Sequence, residues 1–409
     1  MTVPNRAESW KQLYSNSEKL SKATSIHNAF SQEDIDFVES RLKYILRQFL
    51  KKGEWHKGIK TYIDNTLRND IVSKMALQPP MEELSLQNWC SQIFEDQKFG
   101  VVFNSLEQYD NQLTERMSKI VHPLVEEAGI PLGGISFLFF MGNYGFTPFG
   151  IHKEARGEEG FLFHMGPNKK LFYTWNIEKY NAIQHNTQVF HNVKELLPDA
   201  ESYELKSKSV MFIPNYLYHI ANTEEFSFSV VMDYINPSED DLQKKMAQKI
   251  AKYESRNTQN HYVLPIAMNQ ELDWSRLLNS SSWEKKYQQA LQHYVVQLKS
   301  NHGVLTPSIK MVQNCIVNDH FSVRGKPLFP LIEWTDANEN VYVMARGHEI
   351  LVKKNSDLSN VLKQLNEGCI FTFDELKEKL LNNTWELYDL YAFVSSLLLF
   401  DAVEKQEHQ

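Results

Sequence analysis

The chain has 409 residues, 42% of them hydrophobic and 23% charged, with a formal net charge of -8. That length predicts two to four domains, and the composition is globular, which excludes disordered, collagenous and fibrous classes. The acidic balance argues against wholesale binding to a polyanion, although a local basic groove is compatible with it.

Cys90, Cys315 and Cys369 are the only cysteines, far apart and never in a Cys-x-x-Cys pair. This excludes a disulfide scaffold and a thiolate zinc site within the chain, and it fits a reducing compartment. The opening run, Met1 to Trp10, is polar, so no signal peptide is read. The longest apolar stretches, Ile135 to Met141 and Ser395 to Phe400, are too short to span a bilayer. A soluble cytoplasmic protein without a membrane partner is expected.

Residues 1 to about 115 read as mostly helical. Ser31-Gln-Glu-Asp34 is a capping-box-like start, with Asp34 where Glu or Gln is usual. Ile35, Val38, Leu42, Ile45, Leu46 and Phe49 follow at helical spacing, and Leu113 to Glu127 repeats the rhythm until Gly129 and Pro131 stop it. From Gly133 to about Asn236 the pattern changes to short β-branched and aromatic runs. They begin at Ile135, Gly160, Lys170, Val210 and Phe226, and turn residues separate them. Strands at this spacing predict an all-β sandwich or barrel.

Helical patterns return at Glu239 to about Arg256 and at Leu272 to Lys299. Beyond 330, Leu331-Ile-Glu-Trp and Val341 to Arg346 read as paired strands. Asp357 to Leu365, a stretch opened by the capping box Thr372-Phe-Asp-Glu375, and Trp385 to Leu399 read as helices. Helices with a β-pair resemble a winged helix.

The segment that carries chemistry is Phe149-Gly-Ile-His152-Lys-Glu154. On a strand, residues two apart point to one face, so His152 and Glu154 can aim at one ion. A third candidate is His219 in Phe212-Ile-Pro214-Asn-Tyr-Leu-Tyr-His219, after another strand and a turn. Two neutral imidazoles and one carboxylate form the facial triad of non-haem Fe(II) oxygenases, which leaves open positions for a bidentate cosubstrate and dioxygen. Fourteen histidines and 51 acidic residues yield about two His-x-Asp/Glu pairs by chance. The pair by itself is therefore weak, and the ordered series around it carries the reading.

That series resembles the Jumonji-C branch of the cupin superfamily over residues 135 to 236. Gly150-Ile-His152-Lys-Glu154 is similar to its His-x-Asp/Glu, and Phe163-His-Met-Gly166 to the strand and glycine that follow. Lys170-Leu-Phe172 resembles its Lys-x-aromatic, and Pro214 with His219 its Pro-x-x-x-x-His. Ser207-Lys-Ser209 stands where the family often has Gly-Asp. The resemblance implies an α+β protein built on a double-stranded β-helix (cupin/Jumonji-C) barrel, with helical flanks and a C-terminal winged-helix-like domain. It implies Fe(II) held by His152, Glu154 and His219, with 2-oxoglutarate as cosubstrate. Lys170 would pair with the far carboxylate of 2-oxoglutarate, with Lys169 as the alternative on the opposite strand face. Tyr173, Thr174 and Asn222 are further candidate contacts, and His164 is read as structural or as a partner of those residues.

The implied reaction is hydroxylation of a protein or peptide side chain, with succinate and carbon dioxide as coproducts. The order of parts looks like that of the ribosomal oxygenases. It comprises a helical region at 1–115, a barrel at 116–240, a helical segment at 241–325 that is a candidate for dimerisation, and a winged-helix-like domain at 326–409. Trp274 and Trp283 are candidate anchors of a homodimer. Glu154 stands where that group mostly has Asp, and a sizeable helical segment precedes the barrel. A peptide-maturation oxygenase, a lysine demethylase and a non-catalytic cupin binding protein are the alternatives. DNA is not expected as a partner. From residue 330 onward, fourteen acidic residues face seven basic ones, and the helix at 385–399 has no Lys or Arg.

Overall fold

The capping box read at Ser31 forms in both directions. The Ser31 N–H donates to the Asp34 carboxylate at 2.8 Å, and the Asp34 N–H donates to Ser31 Oγ at 3.1 Å. It opens the helix Gln32–Lys52, which buries its stripe from Ile35 to Phe49. Asp110 caps the helix Asn111–Ala128 by accepting from the Leu113 N–H at 2.9 Å, and Gly129, with φ 88°, follows its end. These elements belong to a computed structural model that describes residues 6–52, 58–184, 189, 192–254, 280–307, 320–337 and 339–407.

Helices take up most of the N-terminal region, as the pattern predicts, but strands run through it as well. They are β1 (Thr24–Ile26), β2 (Ile59–Ile63), β3 (Thr66–Leu67) and β4 (Phe99–Phe103). The physical reason they escape a pattern search is visible in β4. All five of its residues are buried, so it lacks the period-two alternation that marks a half-exposed strand. The later strands are β5 (Gly134–Gly142), β6 (Gly145–Phe146), β7 (Glu158–Pro167), β8 (Lys170–Trp175), β9 (Glu201–Leu205), β10 (Ser209–Ile213), β11 (Tyr218–Thr223) and β12 (Ser227–Ile235). The runs read from the sequence are β5, β7, β8, β10 and β12.

These strands make two antiparallel sheets. One has eight strands in the order β1-β10-β7-β12-β5-β4-β2-β3, and the other has four in the order β6-β11-β8-β9. The first compact unit, Met1–Asn236, holds both sheets and the N-terminal helices.

The second unit, Pro237–Gln409, carries the helices Glu239–Glu254 and Ser280–Ser300 and two three-stranded sheets. Its strands are β13 (Phe321–Gly325), β14 (Ile332–Thr335), β15 (Val341–Ala345), β16 (His348–Val352), β17 (Ile370–Thr372) and β18 (Val403–Glu407), ordered β17-β13-β18 and β14-β15-β16. The paired strands expected near 331 and 341 are β14 and β15. The Thr372 capping box opens the helix Phe373–Leu380. In the helix Leu387–Leu399, the residues Leu390, Val394 and Leu397 are buried in a core shared with Phe321, Phe373 and Trp385. Trp283 is 44% exposed; Trp274 and Cys315 lie outside the described residues. Among the described residues no helix is long and apolar enough to cross a membrane.

Candidate metal centre

His219 sits near the start of β11, and β11 pairs with β8 so that His219 lies opposite Thr174. His152 is not on a regular strand. A single two-way backbone bridge joins it to His219, with His152 N–H donating to His219 O at 3.2 Å and His219 N–H to His152 O at 2.8 Å. The strand expected across His152 and Glu154 is thus one bridge residue followed by irregular backbone, and Glu154 reaches the site from that irregular segment.

The three side chains nevertheless converge. One ligand atom from each of His152, Glu154 and His219 lies within 4.8 Å of the others. His152 Nε2 is 3.9 Å and His219 Nε2 is 3.4 Å from Glu154 Oε1. Both rings are also set in tautomer. His152 Nδ1 is 2.9 Å from Gly150 O, and His219 Nδ1 is 3.2 Å from Leu217 O. A carbonyl can only accept, so each Nδ1 carries the proton and each Nε2 turns a lone pair toward the shared point. Phe172 stacks on the His219 ring at 5.4 Å, and Phe149 meets His152 edge-on at 5.8 Å.

Burial, then the neighbouring His219, holds the His152 imidazole down at about 4, so it is neutral near pH 7. At Glu154 burial acts to raise the carboxyl, but the nearby His219 and then His152 outweigh it and leave the group below its ordinary value. Two imidazole nitrogens and a carboxylate are the donor set that a divalent first-row metal takes, so the residues fit Fe(II).

The triad lines a cavity of about 730 Å³ between the two sheets. Lys170 lines it too. It is completely buried, and its Nζ donates to the Tyr144 hydroxyl at 2.7 Å. Burial alone drops its ammonium to about 7 and lifts the Tyr144 hydroxyl well above its ordinary value. Lys169 points the other way on the strand, exposed, and pairs with Glu204 at 3.2 Å.

The other candidates do not line the cavity. Tyr173 lies on the face of β8 opposite Lys170 and packs near Ile151 and Trp175. Thr174 is buried beside the His219 register position, and Asn222, three pairs further along β11, lies opposite Leu171. His164 is buried, with Nε2 2.7 Å from Asn168 O and Nδ1 3.3 Å from Ser229 Oγ, which is a structural placement.

Sequence reasoning missed Tyr144, because no motif marks the turn between Gly142 and Gly145. It also missed the lining residues Ser136, Glu158 and Asp233. Asp233 had a usable signal, a lone carboxylate inside an otherwise uncharged strand.

No family's sequence pattern matches the chain, and no curated protein matches it in sequence. Solved structures do. An X-ray structure of Escherichia coli YcfD is 11% identical, with 97% of this chain and 98% of that one covered and a TM-score of 0.50. The chain shares the YcfD fold. A structure of Escherichia coli YcfD described as a ribosomal oxygenase, in complex with cobalt and succinic acid, is also 11% identical over 94% of each chain, with a TM-score of 0.48. Another, in complex with cobalt and 2-oxoglutarate, is 13% identical over 75% of this chain and 78% of that one, with a TM-score of 0.44. At these identities the likeness is one of fold, and the chemistry is argued from the cavity.

Proposed function

We propose that the first unit is an Fe(II)- and 2-oxoglutarate-dependent oxygenase that hydroxylates a protein or peptide side chain, with succinate and carbon dioxide as coproducts. The observation that carries this reading is a single cavity holding both a His152–Glu154–His219 donor set and a completely buried lysine without an anion partner among the described residues. In this reading the two sheets form a double-stranded β-helix barrel, and the second unit ends in a winged-helix-like domain.

His152, Glu154 and His219 would hold Fe(II) through two Nε2 atoms and one carboxylate oxygen. Bound there with 2-oxoglutarate and dioxygen, the metal supplies the oxidising power for hydroxylation. The chain's own residues do the rest. The Gly150 and Leu217 carbonyls hold the Nδ1 protons, so that in the neutral rings the lone pairs lie on Nε2. Lys170 meets the far carboxylate of 2-oxoglutarate, and the Tyr144 hydroxyl, already its partner, offers a second polar contact. A buried ammonium is costly unless paired, so an arriving carboxylate is favoured there over water. Phe172, Phe140, Leu138 and Leu162 keep the space between apolar. In this reading Lys169, Tyr173, Thr174 and Asn222, which do not line the cavity, make no contact with the cosubstrate.

The protein is read as cytoplasmic, with a protein or peptide partner. Trp283 on the helix Ser280–Ser300 is the anchor we assign to a homodimer surface within 241–325.

The test is succinate formation from 2-oxoglutarate by protein loaded with Fe(II) in the absence of oxygen and then exposed to it. Binding partners captured from a lysate would then be searched for a gain of one oxygen by mass. Fe(II)-dependent succinate is the expected result. Its absence from metal-loaded protein would leave a cupin that only binds.

A further inference from the structure

The chain crosses from the eight-stranded sheet to the four-stranded one between β10 and β11. Ile213, the last residue of β10, is still paired with Gly160 of β7, and Tyr218 already opens β11. Only Pro214, Asn215, Tyr216 and Leu217 span the gap, and His219 stands two residues beyond them. The geometry of this crossing therefore decides how the second imidazole arrives at the triad.

The crossing is a tight turn, closed by the Leu217 N–H donating to the Pro214 carbonyl at 3.1 Å. One carboxylate pins it from outside. Glu159 on β7 accepts from the Asn215 backbone N–H at 2.9 Å and from the Asn215 side-chain amide at 2.5 Å. Glu158 and Gly160, its neighbours on β7, line the cavity, so Glu159 lies on the opposite face with the buried Phe161 and Phe163. From there it touches neither the triad nor the cosubstrate space. A second anchor is the Tyr216 hydroxyl, which donates to the Ser21 carbonyl at 2.7 Å.

Burial lifts the Glu159 carboxyl above its ordinary value, although both bonds from Asn215 act the other way. A charge in this half-buried place is costlier than a neutral amide would be. In return it makes two charge-assisted bonds, roughly twice as strong as neutral ones. They hold the turn two residues before Leu217. The Leu217 carbonyl, 3.2 Å from His219 Nδ1, in turn sets the rotation and tautomer of the ring. The contacts thus run from Glu159 through Asn215 and Leu217 to His219.

Taking the proposed metal centre as given, we propose that Glu159 is a positioning residue for the metal: by clamping Asn215 it fixes the Leu217 carbonyl and so aims His219 Nε2.

The test reads Co(II) binding to the full-length protein, without 2-oxoglutarate, through the visible absorption of the bound ion. Glu159→Gln sets one amide against another and should weaken Co(II) binding roughly tenfold, the size typical of a lost contact behind a metal ligand. Asn215→Asp sets two carboxylates together and should weaken it at least as much. Both changes in one chain exchange donor and acceptor across the pair, and should return the affinity to within about threefold of wild type. Asn215→Ser keeps the backbone bond and loses only the amide one. It is the milder variant should either single change prevent folding, with an expected loss of about threefold. In turnover, the single variants should need more Fe(II) while the KM for 2-oxoglutarate holds, because Lys170 and Tyr144 are untouched.

Asp110→Asn, which weakens the cap of the helix Asn111–Ala128, is the control for lost stability. It should lower the melting temperature and leave Co(II) affinity unchanged. Wild-type Co(II) affinity in the Glu159 and Asn215 single variants, even with a lower melting temperature, would make Glu159 a residue of the fold alone and overturn the inference. So would an equal loss in Asp110→Asn, or no recovery in the double variant. Failure of the metal-centre reading looks different: wild type then binds no Co(II), or His219→Ala binds it as tightly as wild type.

Discussion

His152 and His219 are joined by a reciprocal pair of backbone hydrogen bonds, 3.2 and 2.8 Å long, and their rings lie 4.5 Å apart. The backbone thereby fixes two of the three metal donors before any metal arrives. The third, Glu154, follows on irregular chain two residues beyond the bridge.

Replacing His152, Glu154 or His219 by Ala should each abolish 2-oxoglutarate turnover, because a site with three protein donors has no spare. Metal content after anaerobic loading should fall in each variant, while far-UV circular dichroism stays native-like. Wild-type iron content and succinate formation in any one of them would rule out the triad.

Lys170 gives a pH signature with a definite sign. Its folded value of about 7 lies below the ordinary 10.5. Between those values the unfolded chain binds more protons than the folded one, so stability rises with pH across that window. Below about 7 the ammonium is charged in both states and the penalty is at its full size. Lys170→Met should therefore be more stable than wild type near pH 7, with the gap closing toward pH 10, as thermal melts of both proteins can follow. In the same variant 2-oxoglutarate affinity should drop by tenfold or more, on the order of one lost buried charge pair. In wild type that affinity should weaken as pH climbs above 7.

Gly157 ends the turn that leads from Glu154 into β7. Its φ is 89°, and a Cβ there would sit 1.9 Å from the Asn236 carbonyl oxygen. Gly157→Ala should cost about 1–3 kcal/mol, from left-handed backbone strain and overpacking together. A thermal melt reads the loss, and a weaker apparent Fe(II) affinity should accompany it because the Glu154 segment shifts. An unchanged melting temperature would mean that this turn relaxes freely.

The stretch from residue 330 onward, winged-helix-like in its sequence pattern, should bind protein or peptide and not duplex DNA. Its fourteen acidic residues outnumber seven basic ones, and the helix Leu387–Leu399 has no cation to neutralise phosphates. Salt-dependent binding of a labelled duplex by the full-length protein at physiological ionic strength would contradict this.

The chemistry of the triad was legible in the order of residues, because donor type and spacing are local properties. His152 and Glu154 stand two apart, and Pro214 precedes His219 by five. The helix starts at Ser31 and Thr372 were legible for the same reason, since a capping box spans four residues. The resemblance narrowed the proposed cosubstrate cation to two adjacent lysines on opposite strand faces. Local pattern could not say which of them turns inward, because that depends on the pairing of β8 with β11 and β9, strands drawn from distant sequence. Tertiary structure turns Lys170 into the cavity against Tyr144 and leaves Lys169 beside Glu204. It alone added β1 to β4 to the large sheet and set Ser136, Asp233 and Gly160 in one row. Cross-strand register, which no local period encodes, decides which side chains share a cavity.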